Sequence, residues 1–122
     1  MSRAGVILTT CKSKLEAERI GRALLQKRLA ACCITIPEAS SLYRWPPRFE
    51  SGRASPRLQR GGKGKIKSAK EVILLVKTMR AKVGAAEREI KKLHSYKIPA
   101  IITWSARNVN KIYLQWMKKM IK

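Results

Sequence analysis

The uninterrupted apolar run Val72-Ile73-Leu74-Leu75-Val76 sets the strongest constraint in the hydrophobic pattern of this chain. A strand with one wet face alternates apolar and polar residues, so a run without alternation needs cover on both sides. Lys70 to Thr78 therefore reads as a doubly buried strand. Gly5 to Thr10 is a shorter apolar, β-branched run of the same kind. Between them, Ser13-Lys14-Leu15-Glu16 has capping-box spacing and starts a helix, with Ala17, Ile20 and Leu24 on one face. Ala31 to Ile36 is a further strand. Pro37 interrupts it, and Ser41 to Trp45 resumes an extended pattern. Val83, Ala86, Ile90 and Leu93 give a second amphipathic helix. Ile98 to Trp104 reads as a last strand, in which Pro99 is tolerable only near the start or on an edge. Asn108 or Asn110 caps a final helix running to Lys122.

The order is β-α-β-β-α-β-α. Its first six elements predict a ferredoxin-like α/β (α+β) domain, one antiparallel sheet with both main helices on one face and an extra C-terminal helix. At 122 residues, 1–122 is one domain with a modest core. No helices remain to cover the second sheet face, so packing against other subunits is the expected solution.

Pro46 to Gly64 breaks the pattern. It is rich in proline and glycine and carries Arg48, Arg53, Arg57, Arg60 and Lys63 against Glu50 alone. It has too little apolar surface to pack and is expected to be a mobile insertion between two strands that otherwise form a hairpin.

Charge and cysteines narrow the setting. The 28 Lys and Arg against 7 acids give a net charge of +21, which favours anionic partners, although the basic residues are spread along the whole chain. Cys11, Cys32 and Cys33 are an odd number with an adjacent pair, a poor disulfide framework. No apolar run reaches bilayer length, and Gly5 to Leu8 is too short for a signal-peptide core. A cytoplasmic protein with reduced thiols and no membrane partner is expected.

Candidate chemistry is sparse. There is no Asp, no P-loop, no dinucleotide-binding glycine pattern and no Cys-x-x-Cys, which argues against an enzyme. The only histidine, His94, opens the turn His94-Ser95-Tyr96-Lys97-Ile98-Pro99 at the end of the second helix. A histidine there is commonly a hydrogen-bonded helix C-terminus favoured by the dipole, and it is also the one imidazole available to a metal. Cys32 reads as a small buried hydrophobe on a strand. Tyr43, Trp45, Tyr113 and Trp116 read as packing or interface anchors at element ends. Lys77 closes a strand, where it faces an anion or solvent.

Four segments occur in a fixed order: Lys27-Arg28-Leu29-Ala30-Ala31-Cys32, Ser41-Leu42-Tyr43-Arg44-Trp45, the His94 to Ile102 turn and strand, and Val109 to Trp116. Together they resemble the CutA family, the divalent-cation tolerance proteins, over nearly the whole chain. Trp45 and Gly64-Lys65-Ile66 match the ends of a short family hairpin, which marks Pro46 to Gly64 as inserted. The resemblance implies a compact homotrimer, no catalysis, and weak binding of Cu(II) or another divalent cation. It places His94 and Tyr96 on the family's His-Pro-Tyr motif, Cys32 on its Ala-Ala-Cys segment, and Lys77-Thr78 on its Lys-Thr pair. Thr9 stands where some members have Cys, with Cys11 as the nearest substitute donor. Lys97 and Ala100 stand where some members carry acids. Two rivals come from other classes. A signalling trimer similar to the PII group would use the 46–64 loop to contact a partner. A nucleic-acid module, or another anionic partner held by the basic insertion, is suggested by charge, but basic strand faces here lack interleaved aromatics.

A hairpin extension costs about 0.6 kcal/mol per doubling of loop length. Replacing residues 47–63 by a two-residue hairpin turn is therefore expected to leave the melting temperature unchanged or raised. A thermal melt checks this, and a fall of many degrees with loss of oligomer would make the segment structural.

Overall fold

The computed structural model describes residues 3–45 and 65–122. Arg48, Arg53, Arg57, Arg60 and Lys63 of the expected insertion, and the side chain of Trp45, lie outside the described residues. The elements are β1 (Ala4–Cys11), α1 (Lys14–Gln26), β2 (Cys32–Trp45), β3 (Lys65–Met79), α2 (Arg80–Leu93), β4 (Ile101–Ser105) and α3 (Lys111–Ile121). The order is the expected one. The sheet runs β2-β3-β1-β4, and every pairing is antiparallel.

Alternation within β1 and β3 sorts side chains between two faces. Ile7 and Cys11 of β1 and Val72, Leu74 and Val76 of β3 meet Ala17, Ile20 and Leu24 of α1 and Ala86 and Ile90 of α2 in one core. Among the described residues the opposite face carries no long helix. α3 covers only one end, where Met117 and Ile121 pack on Ala4, Ala31 and Met79. By register, Ile34, Leu75, Leu8 and Ile102 stand in one cross-strand row and Ile36 and Ile73 in the next. On this face Ile34 is 41% exposed, Ile102 56% and Trp104 46%, which is unusual for side chains of this size in adjacent positions.

Local chemistry sets the element ends. Ser13 caps α1 by accepting from the Glu16 amide at 3.1 Å. Only half of the expected capping box forms, because the Glu16 carboxylate reaches Lys12 and Ser95 instead. α1 ends in a Schellman motif, Leu29 N–H to Leu24 O and Arg28 N–H to Leu25 O, with Arg28 in the left-handed region at φ 57°. Asn110, not Asn108, caps α3, accepting from Ile112 and Tyr113 amides.

Three expectations are corrected. Pro37 does not split β2. The strand runs through it with a bulge in which Pro37 and Glu38 together oppose Val72, Glu38 taking φ 59°. β2 is an edge strand, where a missing N–H is tolerated. β3 is longer than Lys70–Thr78, because the hairpin arm extends to Lys65. β4 starts at Ile101, so Ile98 and Pro99 belong to the preceding turn. Proline has no N–H for a ladder and restrains the residue before it.

Thr9 is fully buried on the helix-facing side of β1, and its hydroxyl has no hydrogen-bond partner among the described residues. An orphan hydroxyl costs about 1–3 kcal/mol. Thr9→Val keeps the shape and removes the orphan, so it is expected to raise stability by about 1 kcal/mol. A urea midpoint shifted upward at unchanged slope checks it.

Candidate metal centre

His94 is the C-cap of α2, its amide donating to Ile90 O at 3.0 Å. It is buried, and its ring nitrogens both have partners. The Tyr96 amide lies 3.1 Å from Nδ1 and can only donate, so Nδ1 is the unprotonated acceptor. Nε2 then carries the proton and donates to Thr10 O at 2.9 Å. The ring also packs on Tyr96, centroids 4.8 Å apart. The helix-end role expected from the sequence is thus filled.

The same imidazole stands beside two other donors. Cys11 ends β1 on the helix-facing side, and Glu16 lies one turn into α1. The ligand atoms of Cys11, Glu16 and His94 all fall within 4.8 Å of one another. Two consecutive elements, β1 and α1, supply the sulfur and the carboxylate, and the distant end of α2 supplies the imidazole. Glu16 was not a sequence-level site candidate. Its only signal was the third position of a capping box, where a carboxylate ordinarily turns back to its own N-cap.

Electrostatics decides what this cluster is at rest. Glu16 Oε1 accepts from Lys12 N–H at 3.1 Å and Oε2 from Ser95 N–H at 2.9 Å. Burial pushes its pKa up, but these bonds, with Ser95 contributing most, outweigh burial and hold the carboxyl below its ordinary value. Glu16 is therefore an anion clamping the β1–α1 turn to the α2–β4 turn. Burial first, then the charges of Glu16 and Glu71, pushes the Cys11 thiol up to about 12. Tyr96 is pushed up as well, by burial and by its 2.8 Å bond to Glu71, which also accepts from Ser41 at 2.6 Å.

The remaining sequence candidates lie elsewhere. Cys32 is half-buried on the open sheet face rather than in the core. Cys33, one residue on, is the one that packs against the core, its thiol facing Gly21 O at 3.8 Å. Lys77 is half-buried and pairs with no carboxylate among the described residues. Its ammonium lies over the Tyr113 ring, 5.0 Å from the centroid, and its bond to Tyr113 raises its pKa. Tyr113 and Trp116 stack at 5.3 Å on α3, Tyr43 is partly exposed on β2, and Pro99 sits in the turn before β4.

The sequence pattern of the family described as CutA1 divalent ion tolerance protein matches residues 5–53 and 62–120. The chain belongs to this family. The match skips 54–61, inside the expected insertion. A crystal structure of CutA from Xylella fastidiosa is 34% identical and superposes with a TM-score of 0.82 over 99% of this chain and 100% of that one. A structure from Archaeoglobus fulgidus, described as the periplasmic divalent cation tolerance protein CutA, is 31% identical with a TM-score of 0.80, covering 98% and 99%. The divalent-cation tolerance protein CutA of Thermus thermophilus is 31% identical over 93% of this chain and 94% of its own. Human Protein CutA is 32% identical over 91% of this chain but only 52% of its own length, so the chain spans about half of that relative. The CutA fold is thus shared throughout, and no helix among the described residues is long and apolar enough to cross a membrane.

The Glu16 clamp carries a pH signature. A carboxyl held below its ordinary 4.5 stabilises the fold above that pH, and the contribution is lost as pH falls through the depressed value. Glu16→Gln is expected to cost about 1–2 kcal/mol near pH 7, and the gap to wild type should close below pH ~4. Urea titrations across that range check it. A gap independent of pH would mean the charge is not what stabilises the clamp.

Proposed function

We propose that this chain serves divalent-cation tolerance as a cytoplasmic homotrimer, holding copper or a similar cation weakly through Cys11, Glu16 and His94 without turnover. The observation that carries the reading is the convergence of those three donors within 4.8 Å. A thiolate, imidazole and carboxylate set suits copper or zinc better than magnesium or calcium, which prefer all-oxygen shells. The donors fit such an ion, but at a cost. The Cys11 proton must leave a thiol pushed up to about 12. His94 must release Thr10 O, and Glu16 must share oxygens already committed to two backbone amides. Weak binding follows, and a bound cation would supply only charge neutralisation to the buried Glu16 anion. A family of tolerance proteins, rather than of enzymes, agrees with the absence of turnover.

The trimer is supported by the open sheet face. Ile34, Ile36, Ile102 and Trp104 expose apolar surface that no other described residue covers. All three cysteines are free, in keeping with a reducing cytoplasm.

Calorimetric titration of Cu(II) into wild type, Cys11→Ser and His94→Ala tests the metal reading. Micromolar or weaker affinity, on the order of −8 kcal/mol or less, is expected for wild type, with each variant weaker still. Equal binding by all three would remove these residues as ligands. Sedimentation is expected to give three chain masses, and the mass of one chain at micromolar concentration would remove the trimer.

A further inference from the structure

The outer surface of the helical layer is strongly cationic, and its cause is local. The acids of α1 and α2 are Glu16, Glu18, Glu87 and Glu89, and each is engaged. Glu16 is buried on backbone amides, and Glu18 pairs with Lys14 at 3.8 Å. Glu87 takes the Thr103 hydroxyl, and Glu89 holds Lys27 at 2.9 Å. Arg22 on α1 and Arg80, Arg88, Lys91 and Lys92 on α2 are exposed, and their side chains make no ion pair among the described residues.

Folding alone does not ask for this arrangement. Lys91 and Lys92 suit the C-terminal end of the α2 dipole, but Arg80 opens the helix, where the dipole favours an acid. Exposed Arg22 and Arg88 project from mid-helix positions with no partner. A net charge of +21 adds self-repulsion that an anionic partner would relieve.

We propose that the helical layer is a docking surface for the phosphate backbone of duplex nucleic acid, bound without sequence readout. Guanidinium groups match phosphate oxygens in fork geometry. No Tyr, Trp or Phe lies on α1 or α2, which removes base stacking and disfavours single strands. The face is the sheet's covered side, so association through the bare sheet face leaves it outward. Each added copy then presents another cation face, and binding gains from multivalency.

The test measures binding of the full chain to a mixed-sequence DNA duplex by fluorescence anisotropy over a salt series. Two triple variants of equal charge are compared: R22Q/R88Q/K92Q on the helical layer, and K111Q/K119Q/K122Q on α3. Circular dichroism confirms that both are folded. Wild type is expected to weaken steeply between 50 and 200 mM salt. The helical-layer triple should lose on the order of tenfold in affinity and about 2.7 in the slope of log K against log salt, with the α3 triple close to wild type. Equal losses in both triples would reduce the effect to net charge and overturn the proposal. So would wild-type affinity in the helical-layer triple, or preferential binding of phosphatidylserine vesicles over the duplex, which would make the face a membrane surface.

Discussion

A sheet apolar on both sides, with helices enough for only one, is the constraint on which the rest of this molecule depends. β3 carries it most plainly. Val72, Leu74 and Val76 enter the core with α1 and α2, while Ile73 and Leu75 point to the other side. Burial at about 25 cal/mol per Å² makes the covered side the main source of stability. The same term makes the bare side a standing drive to associate. Which surface faces water, and hence where charge can be displayed, follows from that asymmetry.

The candidate metal centre is a joint as well as a donor cluster. Glu16 grips two backbone amides, and His94 spans Thr10 O and the Tyr96 amide. The groups that would ligate a cation are those that fasten the β1–α1 turn to the α2–β4 turn. Ligation therefore competes with structure, residue by residue.

Much of this was legible in the sequence, for identifiable reasons. The unbroken run at Val72–Val76 announced a central strand, and Ser13 announced the start of α1. Pro99 is expected inside β4 but sits in the turn before it, because propensity does not show that the ladder with β1 stops at Ile101. Glu16 was missed because its role is tertiary: its partner Ser95 is distant along the chain, and no local spacing reveals it. Cys32 is expected in the core, but Cys33 is the one that packs there. Strand alternation distinguishes the two faces but not which one the helices cover.

The bulge at Pro37–Glu38 has an effect on heredity of length. Because two residues there oppose one, the parity of β2 changes: Ile34 and Ile36 share a face with Ser41 and Tyr43 rather than with Ser40 and Leu42. Losing Pro37 or Glu38 would leave one residue opposite Val72, turn the bulge into a regular ladder, and keep Ala39 opposite Glu71 with Ser41 still beside it. A one-residue change at the bulge is thus absorbed where it occurs, and the outer half of β2 keeps both its register with β3 and the sides its residues face.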